Sequence, residues 1–212
     1  MMWTSDTVRR LRLLPVLLSL LASSCGLADR DSDERNRYVY LTFFDKRFEA
    51  FCLERFDLDN DSRISRYEAQ RVREIACPGE GIASLADLRE FVNLERLDCS
   101  GNALTELDLT ACAHLSRLDC RENDLVWLDV EDLRALVWLD CSENALAELD
   151  LTSNTSLVTL DARGNALQTL DLSTCAATLQ ADVRANSDLT TVYCRMATQS
   201  IRFDGITSLV ER

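Results

Sequence analysis

The chain has 212 residues, of which 47% are hydrophobic and 28% are charged, and its formal net charge is −13. This balance is typical of a globular protein with one large or two small domains, and it excludes disorder of the whole chain. The acidic excess argues against nucleic acid as a partner, because phosphate binding needs a basic footprint. Divalent cations or basic partners fit the charge better.

Residues 1–24 have the features of an export signal peptide. Three arginines precede an apolar run over residues 13–22, and two serines lead into Cys25. The run is too short for a transmembrane helix, which needs about 20 apolar residues. The sequence LASSCG around Cys25 resembles a bacterial lipoprotein signal. That resemblance implies lipidation of Cys25, an anchor in the outer membrane or at the cell surface, and a flexible tether over residues 25–37. Ordinary secretory cleavage is the alternative, and it also implies export.

An apolar stripe predicts a helix from about Tyr38 to Phe56. Its members recur at steps of three and four residues, as expected for one helix face: Leu41, Phe44, Phe48, Phe51, Cys52 and Phe56. A second helical pattern begins near Ser65 and continues to Ile75. Residues 38–71 are therefore predicted to form a helix-loop-helix cap. No linker follows it, so we expect it to pack directly against the next part of the chain.

The loop between these helices carries alternating acidic residues. Its spacing resembles an EF-hand calcium loop that starts at Asp57. The resemblance implies a Ca²⁺ site formed by Asp57, Asp59, Asp61, the Arg63 carbonyl, Ser65 and Glu68. Ser62 stands where the family has glycine for a left-handed backbone, and we expect this to cost about 1 kcal/mol. A solvated acidic turn without metal is the alternative interpretation.

The rest of the chain repeats every 21 residues. Leu-Asp or closely related doublets recur at alternating steps of ten and eleven residues, from Leu97-Asp98 to Ala181-Asp182. One such unit cannot bury its own apolar edge, so neighbouring units must stack into one continuous core. The pattern covers residues 72–188, with a degenerate first unit 22 residues before the second. Residues 189–212 are predicted to form a C-terminal cap.

The repeat resembles the 21-residue type of bacterial leucine-rich repeat, with the pattern L-x-x-L-x-C-x-x-N-x-L-x-x-L-D-L. The resemblance implies an α/β repeat fold, a solenoid of short parallel β-strands behind the EF-hand-like cap. It also implies that Leu97 and Cys99 point inward and that Asn102 and its equivalents form a hydrogen-bonded ladder. The EF-hand-like unit before the repeats is similar to that of some bacterial surface leucine-rich repeat lipoproteins.

Strand alternation would place three columns of residues outward on the concave face. The middle column is a row of aspartates that starts at Asp98, and a second row starts at Asp108 in the other half-repeat. Two rows favour a solvated, arginine-compensated structural feature over a ligand site. Positions that vary between repeats are better ligand candidates: Arg96, Arg117, Arg121, Trp138, Thr159 and Arg163. For Trp138, contact with a partner and gap-filling over Thr159 both remain open.

The nine cysteines mostly follow the repeat. Cys99, Cys120 and Cys141 share one inward position and are predicted to be small buried hydrophobic residues. Cys52 and Cys77 flank the acidic loop and are the candidate pair for a disulfide in an oxidising compartment.

These features predict an exported, monomeric leucine-rich repeat binding protein whose concave face contacts a protein partner. A glycan-binding module is the alternative, and it would require a row of exposed aromatic residues. An enzyme is not predicted, since His114 is the one histidine and neither a phosphate loop nor a nucleophile arrangement accompanies it.

Overall fold

A computed structural model describes residues 33–205 and 207–212. The predicted signal peptide, Cys25 and residues 25–32 of the predicted tether lie outside this part. Residues 33–37 of that tether contact the cap, since Asp33 pairs with Arg71 at 2.8 Å and Asn36 donates a hydrogen bond to Gln70. Within the described ranges, no helix combines the length and apolar character needed to cross a bilayer.

The first helix of the cap, α1, spans Lys46–Phe56. The predicted start at Tyr38 is wrong, because the Asp45 carboxylate accepts hydrogen bonds from the Arg47 and Phe48 amides and so begins the helix there. The preceding segment is not helical, and Tyr40 within it forms an isolated antiparallel bridge with Ser65. Consequently Phe44, predicted on the apolar stripe, is 68% exposed, and Phe43 occupies the buried place with 6% exposure.

The second helix, α2, is one turn at Arg66–Ala69 rather than the longer helix predicted. Ser65 and Glu68 form a capping box at its start. The chain then extends into strand β1, Glu74–Ala76, because this segment pairs with the next repeat. Ile75, which the sequence pattern had placed at the end of a helix, is buried in that strand.

A parallel sheet of seven strands, here called the main sheet, runs through the solenoid. After β1 it contains β2 (Arg96–Asp98), β4 (Arg117–Asp119), β6 (Trp138–Asp140), β7 (Thr159–Asp161), β9 (Gln180–Asp182) and β11 (Ser200–Arg202). Ile75 pairs with Leu97 in register, and Leu97 with Leu118. The repeat alignment over residues 72–188 therefore predicted the strand register, including its degenerate first unit.

The other half of each repeat contributes shorter side sheets. One joins β3 (Glu106–Asp108) to β5 (Trp127–Asp129), and the other joins β8 (Thr169–Asp171), β10 (Thr191–Cys194) and β12 (Ser208–Glu211). A 3₁₀ helix, Ala86–Glu90, lies in the first repeat. The predicted C-terminal cap, residues 189–212, thus contributes three further parallel strands that extend both kinds of sheet.

Apolar side chains from both halves of each repeat form one core, which includes the inward leucines of the doublets. Helix α1 joins this core through Phe48, whose ring lies 5.9 Å from that of Phe91 in the first repeat. Asp45 adds a polar contact, since its carboxylate accepts hydrogen bonds from the Ala83 and Ser84 amides. The cap and the solenoid are therefore packed directly together, as the absence of a linker suggested.

The predicted asparagine ladder is present. Asn123 donates to the carbonyls of Cys99, Cys120 and Arg121 and accepts from the Leu104 amide. Equivalent bonds are made by Asn102, Asn144, Asn165 and Asn186. Each side chain thereby satisfies backbone groups of two neighbouring repeats at the turn after the main-sheet strand.

Candidate functional site

The outward face of the main sheet carries the six predicted ligand residues. Arg96, Arg117, Trp138 and Thr159 are register partners on four neighbouring strands. Arg121 and Arg163 follow two residues after the aspartates of β4 and β7. The sequence pattern therefore placed all six residues on one face.

The aspartates of the doublets have a local structural role. In every doublet the Asp carboxylate accepts a hydrogen bond from the backbone amide two residues later, which stabilises the turn after the strand. The acceptors are Asp98, Asp108, Asp119, Asp129, Asp140, Asp150, Asp161, Asp171 and Asp182. This supports the structural interpretation of both rows. The description of the main-sheet row as solvated is wrong at its centre, because Asp119 and Asp140 are each only 7% exposed.

Arginines compensate part of the main-sheet aspartate row. Arg163 pairs with Asp161 at 2.7 Å, and Arg184 pairs with Asp182 at 2.6 Å. The Arg184 hydrogen bond lowers the pKa of Asp182. Arg121 lies less closely, at 3.4 Å from Asp119 and 3.9 Å from Asp140. Burial is the main cause that raises the pKa of Asp119.

Arg117 and Trp138 form a stacked pair at the centre of the face. The guanidinium carbon of Arg117 lies 3.5 Å from the centroid of the Trp138 ring, which is half-buried. This contact is a cation–π interaction. In the part of the chain that is described, Arg117 has no carboxylate within ion-pair distance, unlike Arg96, which pairs with Glu74 at 2.9 Å. The Trp138 ring is thus covered by Arg117 of the preceding repeat. The sequence had also allowed packing of this ring over Thr159 of the following repeat.

A shallow cleft of about 300 Å³ lies at the C-terminal end of the same face. Thr159 and Gln180 line it together with Arg163, Arg184 and Arg202. Arg202 lies opposite Asp182, at the register position that aspartates hold in β2, β4, β6, β7 and β9. Three arginines of the face therefore line this cleft, and two of them pair with aspartates of the row.

The acidic loop gathers three of its predicted calcium ligands. Carboxylate oxygens of Asp57, Asp59 and Asp61 lie within 4.8 Å of one another. Ser62 has a φ of +64°, so the backbone adopts the left-handed conformation expected at this position despite the missing glycine.

Two of the other predicted calcium ligands, Ser65 and Glu68, are engaged with each other. The Glu68 carboxylate accepts hydrogen bonds from the Leu58 amide and from the amide and hydroxyl of Ser65. Glu68 is 4% exposed and does not belong to the three-aspartate cluster. The predicted set of side-chain ligands is therefore only partly assembled.

The cysteines of the described ranges are buried free thiols. Cys52 and Cys77, the candidate disulfide pair, are among them, and burial is the main cause that raises the pKa of each, for Cys77 to about 12. Cys77, Cys99, Cys120 and Cys141 succeed one another at the same inward position, each fully buried. The disulfide between Cys52 and Cys77 stays a prediction, which titration of free thiols in the exported protein would test.

Trp127 is a surface residue that the sequence reasoning missed. It is 48% exposed on β5 and pairs in register with Glu106 of β3. The sequence Trp-Leu-Asp occurs at Trp127 and again at Trp138. Strand alternation applied to the second half-repeat would have placed Trp127 outward in the same way.

No known family profile and no curated protein matches the sequence. Solved structures of leucine-rich repeat proteins do match. The functional domain of InlJ from Listeria monocytogenes, which includes a cysteine ladder, is 27% identical with a TM-score of 0.64 over 75% of this chain. The internalin inlF from Listeria monocytogenes is 18% identical with a TM-score of 0.56 over 80% of this chain.

The chain spans 37% of the first of these structures and 55% of the second. This chain is a solenoid of short parallel strands with a repeat of about 21 residues, and the matching structures are leucine-rich repeat proteins. The chain therefore has the leucine-rich repeat fold of these bacterial proteins.

Proposed function

We propose that the outward face of the main sheet binds a protein partner. The Arg117–Trp138 stack carries this proposal, because tryptophan and arginine at the centre of a rigid surface are the residue types that dominate protein interfaces. Trp138 is half-buried and stacked against Arg117, so its side chain would lose little conformational entropy when a partner covers it. Arg117 keeps hydrogen-bond donors free of any described carboxylate.

The surroundings of the stack support the same surface. The aspartates between the columns accept backbone hydrogen bonds, so they maintain the turns while the flanking residues vary from repeat to repeat. Arg96, Arg121, Thr159 and Arg163 surround the stack on the same face. A solenoid can change such outward residues without disturbing its core, which suits a binding module. The similarity to internalins favours protein binding over the glycan-binding alternative.

Quantitative binding with matched variants tests this surface. The exported chain would first be used to isolate a partner from surface proteins, and the affinity would then be measured for Trp138→Ala and Arg117→Ala. We expect each variant to weaken binding by about 30-fold or more, as for central interface residues. Tyr38→Ala removes an exposed aromatic side chain of the cap, outside the main and side sheets, and is the control. Unchanged affinity in both main-sheet variants would place the interface elsewhere, and a glycan-array signal lost in Trp138→Ala would favour the glycan alternative.

We also propose that the protein is exported and anchored through a lipidated Cys25. This rests on the sequence of residues 1–25. Metabolic labelling with palmitate should modify the chain, and Cys25→Ser should abolish the label. An unlabelled wild-type chain recovered in the medium would leave ordinary secretion as the route.

We further propose a structural Ca²⁺ site in the acidic loop, held by Asp57, Asp59 and Asp61. Closely placed carboxylate oxygens suit a hard cation, and the left-handed Ser62 gives the loop its sharp turn. Glu68 and Ser65 make the capping box instead, so we expect weak affinity, in the range of about 10⁻⁴ to 10⁻³ M.

Calorimetry of the full chain with CaCl₂ tests the site. Asp57→Ala should abolish the binding heat, and Asp132→Asn, a distant exposed aspartate, should not change it. Ser62→Gly should raise the free energy of unfolding by about 1 kcal/mol and leave the affinity nearly unchanged, because the left-handed conformation is already present without the ion and glycine adopts it at lower cost. Absence of heat in both the wild type and Ser62→Gly would refute the calcium proposal.

A further inference from the structure

A second cleft, of about 240 Å³, lies between the 3₁₀ helix and the side sheet of β3 and β5. Trp127 lines it beside Glu106 and Asp108, and Arg89 and small residues such as Ala86 complete its lining. This volume is below the usual range of about 300 to 1,000 Å³ for sites that hold drug-sized ligands. The cleft therefore suits a single side chain better than a cofactor.

Arginine stacking on aromatic rings recurs in this chain. Guanidinium carbons lie within 3.4 to 3.7 Å of the ring centroids of Tyr67, Tyr40, Trp138 and Tyr193. Among the residues that the structure describes, no cation is stacked on Trp127. Its ring is instead half exposed at the cleft. The two tryptophans of the solenoid thus differ, since one is covered from within the chain and the other is open.

The charges around the cleft favour a cation. Glu106 and Asp108 contribute two negative charges, and the Glu106 carboxylate has no ion-pair partner within the described ranges. Asp108 accepts hydrogen bonds from the amide and hydroxyl of Thr110. Arg89 is the one cation of the lining, and its guanidinium lies 4.0 Å from Glu90 and 5.8 Å from the Phe44 centroid. The lining therefore has a net charge of about −1 at neutral pH.

From these observations we infer that the Trp127 cleft binds an arginine side chain of a protein partner. The guanidinium of the partner would stack on Trp127 and form an ion pair with Glu106. The cleft would thus provide both an aromatic ring and a carboxylate, whereas Arg117 on Trp138 has only the ring. The overall charge of −13 makes basic partner segments electrostatically favourable. This site lies on a side sheet and does not depend on the binding surface proposed for the main sheet.

Nuclear magnetic resonance of the ¹⁵N-labelled full chain tests the inference. The probe is the peptide acetyl-Gly-Arg-Gly-amide, and the reporter is the indole N–H signal of Trp127, assigned through Trp127→Phe. We expect a saturable shift of this signal and none of the Trp138 signal. Glu106→Gln should weaken binding by about fivefold and reduce its salt sensitivity, as loss of one partly exposed charge pair predicts. Asp188→Asn, an exposed aspartate in a distant repeat, should leave the affinity unchanged.

A citrulline peptide provides the decisive comparison, because citrulline keeps the shape of arginine but carries no charge. We expect the citrulline peptide to leave the Trp127 signal unshifted at concentrations that saturate with arginine. Equal binding of the two peptides, or no saturable shift with either, would overturn the inference. A saturable shift with methyl β-glucoside in place of the arginine peptide would also overturn it and would indicate a sugar site.

Discussion

The two halves of each repeat have the same Leu-Asp doublet but different surroundings. In both halves the leucine is buried and the aspartate accepts an amide hydrogen bond from two residues later. In the main sheet, however, the aspartates stack in an uninterrupted row, and Asp119 is only 7% exposed. Asp108 on the side sheet is exposed, and its hydrogen bonds with Thr110 lower its pKa. The aspartate of the doublet therefore stabilises the turn in both halves, whereas its burial, and with it the direction of its pKa shift, depends on the sheet in which it lies.

The turn that follows the strand also differs between the halves. After five of the main-sheet strands, β2, β4, β6, β7 and β9, an asparagine donates hydrogen bonds to carbonyls of two repeats. As far as the chain is described, the half-repeat of the side sheets has no such asparagine row. One of its turn positions is buried in each repeat, and successive repeats have Cys112, Leu133, Asn154 and Cys175 there. Asn154 donates to the carbonyls of Val130 and Leu133, but its own carbonyl oxygen is buried without a hydrogen-bond partner. The main-sheet half is thus fully hydrogen-bonded here and the side half is not.

The largest effect is expected for Asn123→Ala. The substitution removes all four hydrogen bonds of the side chain and leaves the Arg121 carbonyl and the Leu104 amide without a side-chain partner, and it should lower the free energy of unfolding by about 3 kcal/mol. The Cys99 and Cys120 carbonyls each keep one donor, from Asn102 and Asn144. Urea unfolding followed by circular dichroism measures the change. The control is Asn93→Ala, which loses one bond to the Gln70 carbonyl and should cost about 1 kcal/mol. Equal losses would show that the ladder adds nothing beyond one ordinary hydrogen bond.

Asn154→Cys should instead stabilise the protein, by about 1 kcal/mol. Cys112 is the equivalent residue two repeats earlier, and its thiol lies near the Leu88 and Phe91 carbonyls. These carbonyls are equivalent to those of Val130 and Leu133, to which Asn154 donates. Cysteine can therefore keep a weak donor while removing the buried oxygen that has no partner. Urea unfolding under reducing conditions measures the change, and the reverse variant, Cys112→Asn, should be destabilising. A loss of stability in Asn154→Cys would contradict this explanation.

Asp119→Asn should raise the free energy of unfolding at pH 7 by less than about 1 kcal/mol. Burial raises the pKa of Asp119 above its unfolded value, so the ionised form disfavours the folded state. The advantage of the variant should shrink as the pH falls through the folded-state pKa, because the wild-type carboxyl then becomes protonated. Unfolding measured between pH 7 and pH 3 tests this, and an advantage independent of pH would contradict it.

Asp108→Asn should give the smallest effect and the opposite sign, a loss of about 0.5 kcal/mol at pH 7. The Thr110 hydroxyl and amide stabilise the ionised carboxylate and lower its pKa. This stabilisation is present above the unfolded pKa and is lost as the pH falls through the lower folded value. The same series of pH values measures it. A gain in stability at neutral pH would show that the two aspartate rows do not differ.

The acidic loop shows a different relation between pattern and structure. The spacing of Asp57, Asp59 and Asp61 along the chain places their carboxylates together, because a tight turn brings alternate residues to one side. Glu68 stands at the sequence position of a calcium ligand, but its carboxylate does not lie with those of the three aspartates. Its carboxylate has a competing local partner in Ser65, and the pattern of ligand positions does not register that competition.

The 21-residue period predicted the strand register, because a stacked core must follow such a period. The resemblance of the repeat to leucine-rich repeats predicted the asparagine ladder and the inward positions of leucine and cysteine. The tertiary structure alone decided where α1 begins, that Asp119 is buried, that Arg117 covers Trp138 and that Trp127 remains open beside Glu106. Each of these features depends on contacts between side chains of different repeats, or between the cap and a repeat. Packing and charge determine these contacts, and the position of a residue within the repeat does not.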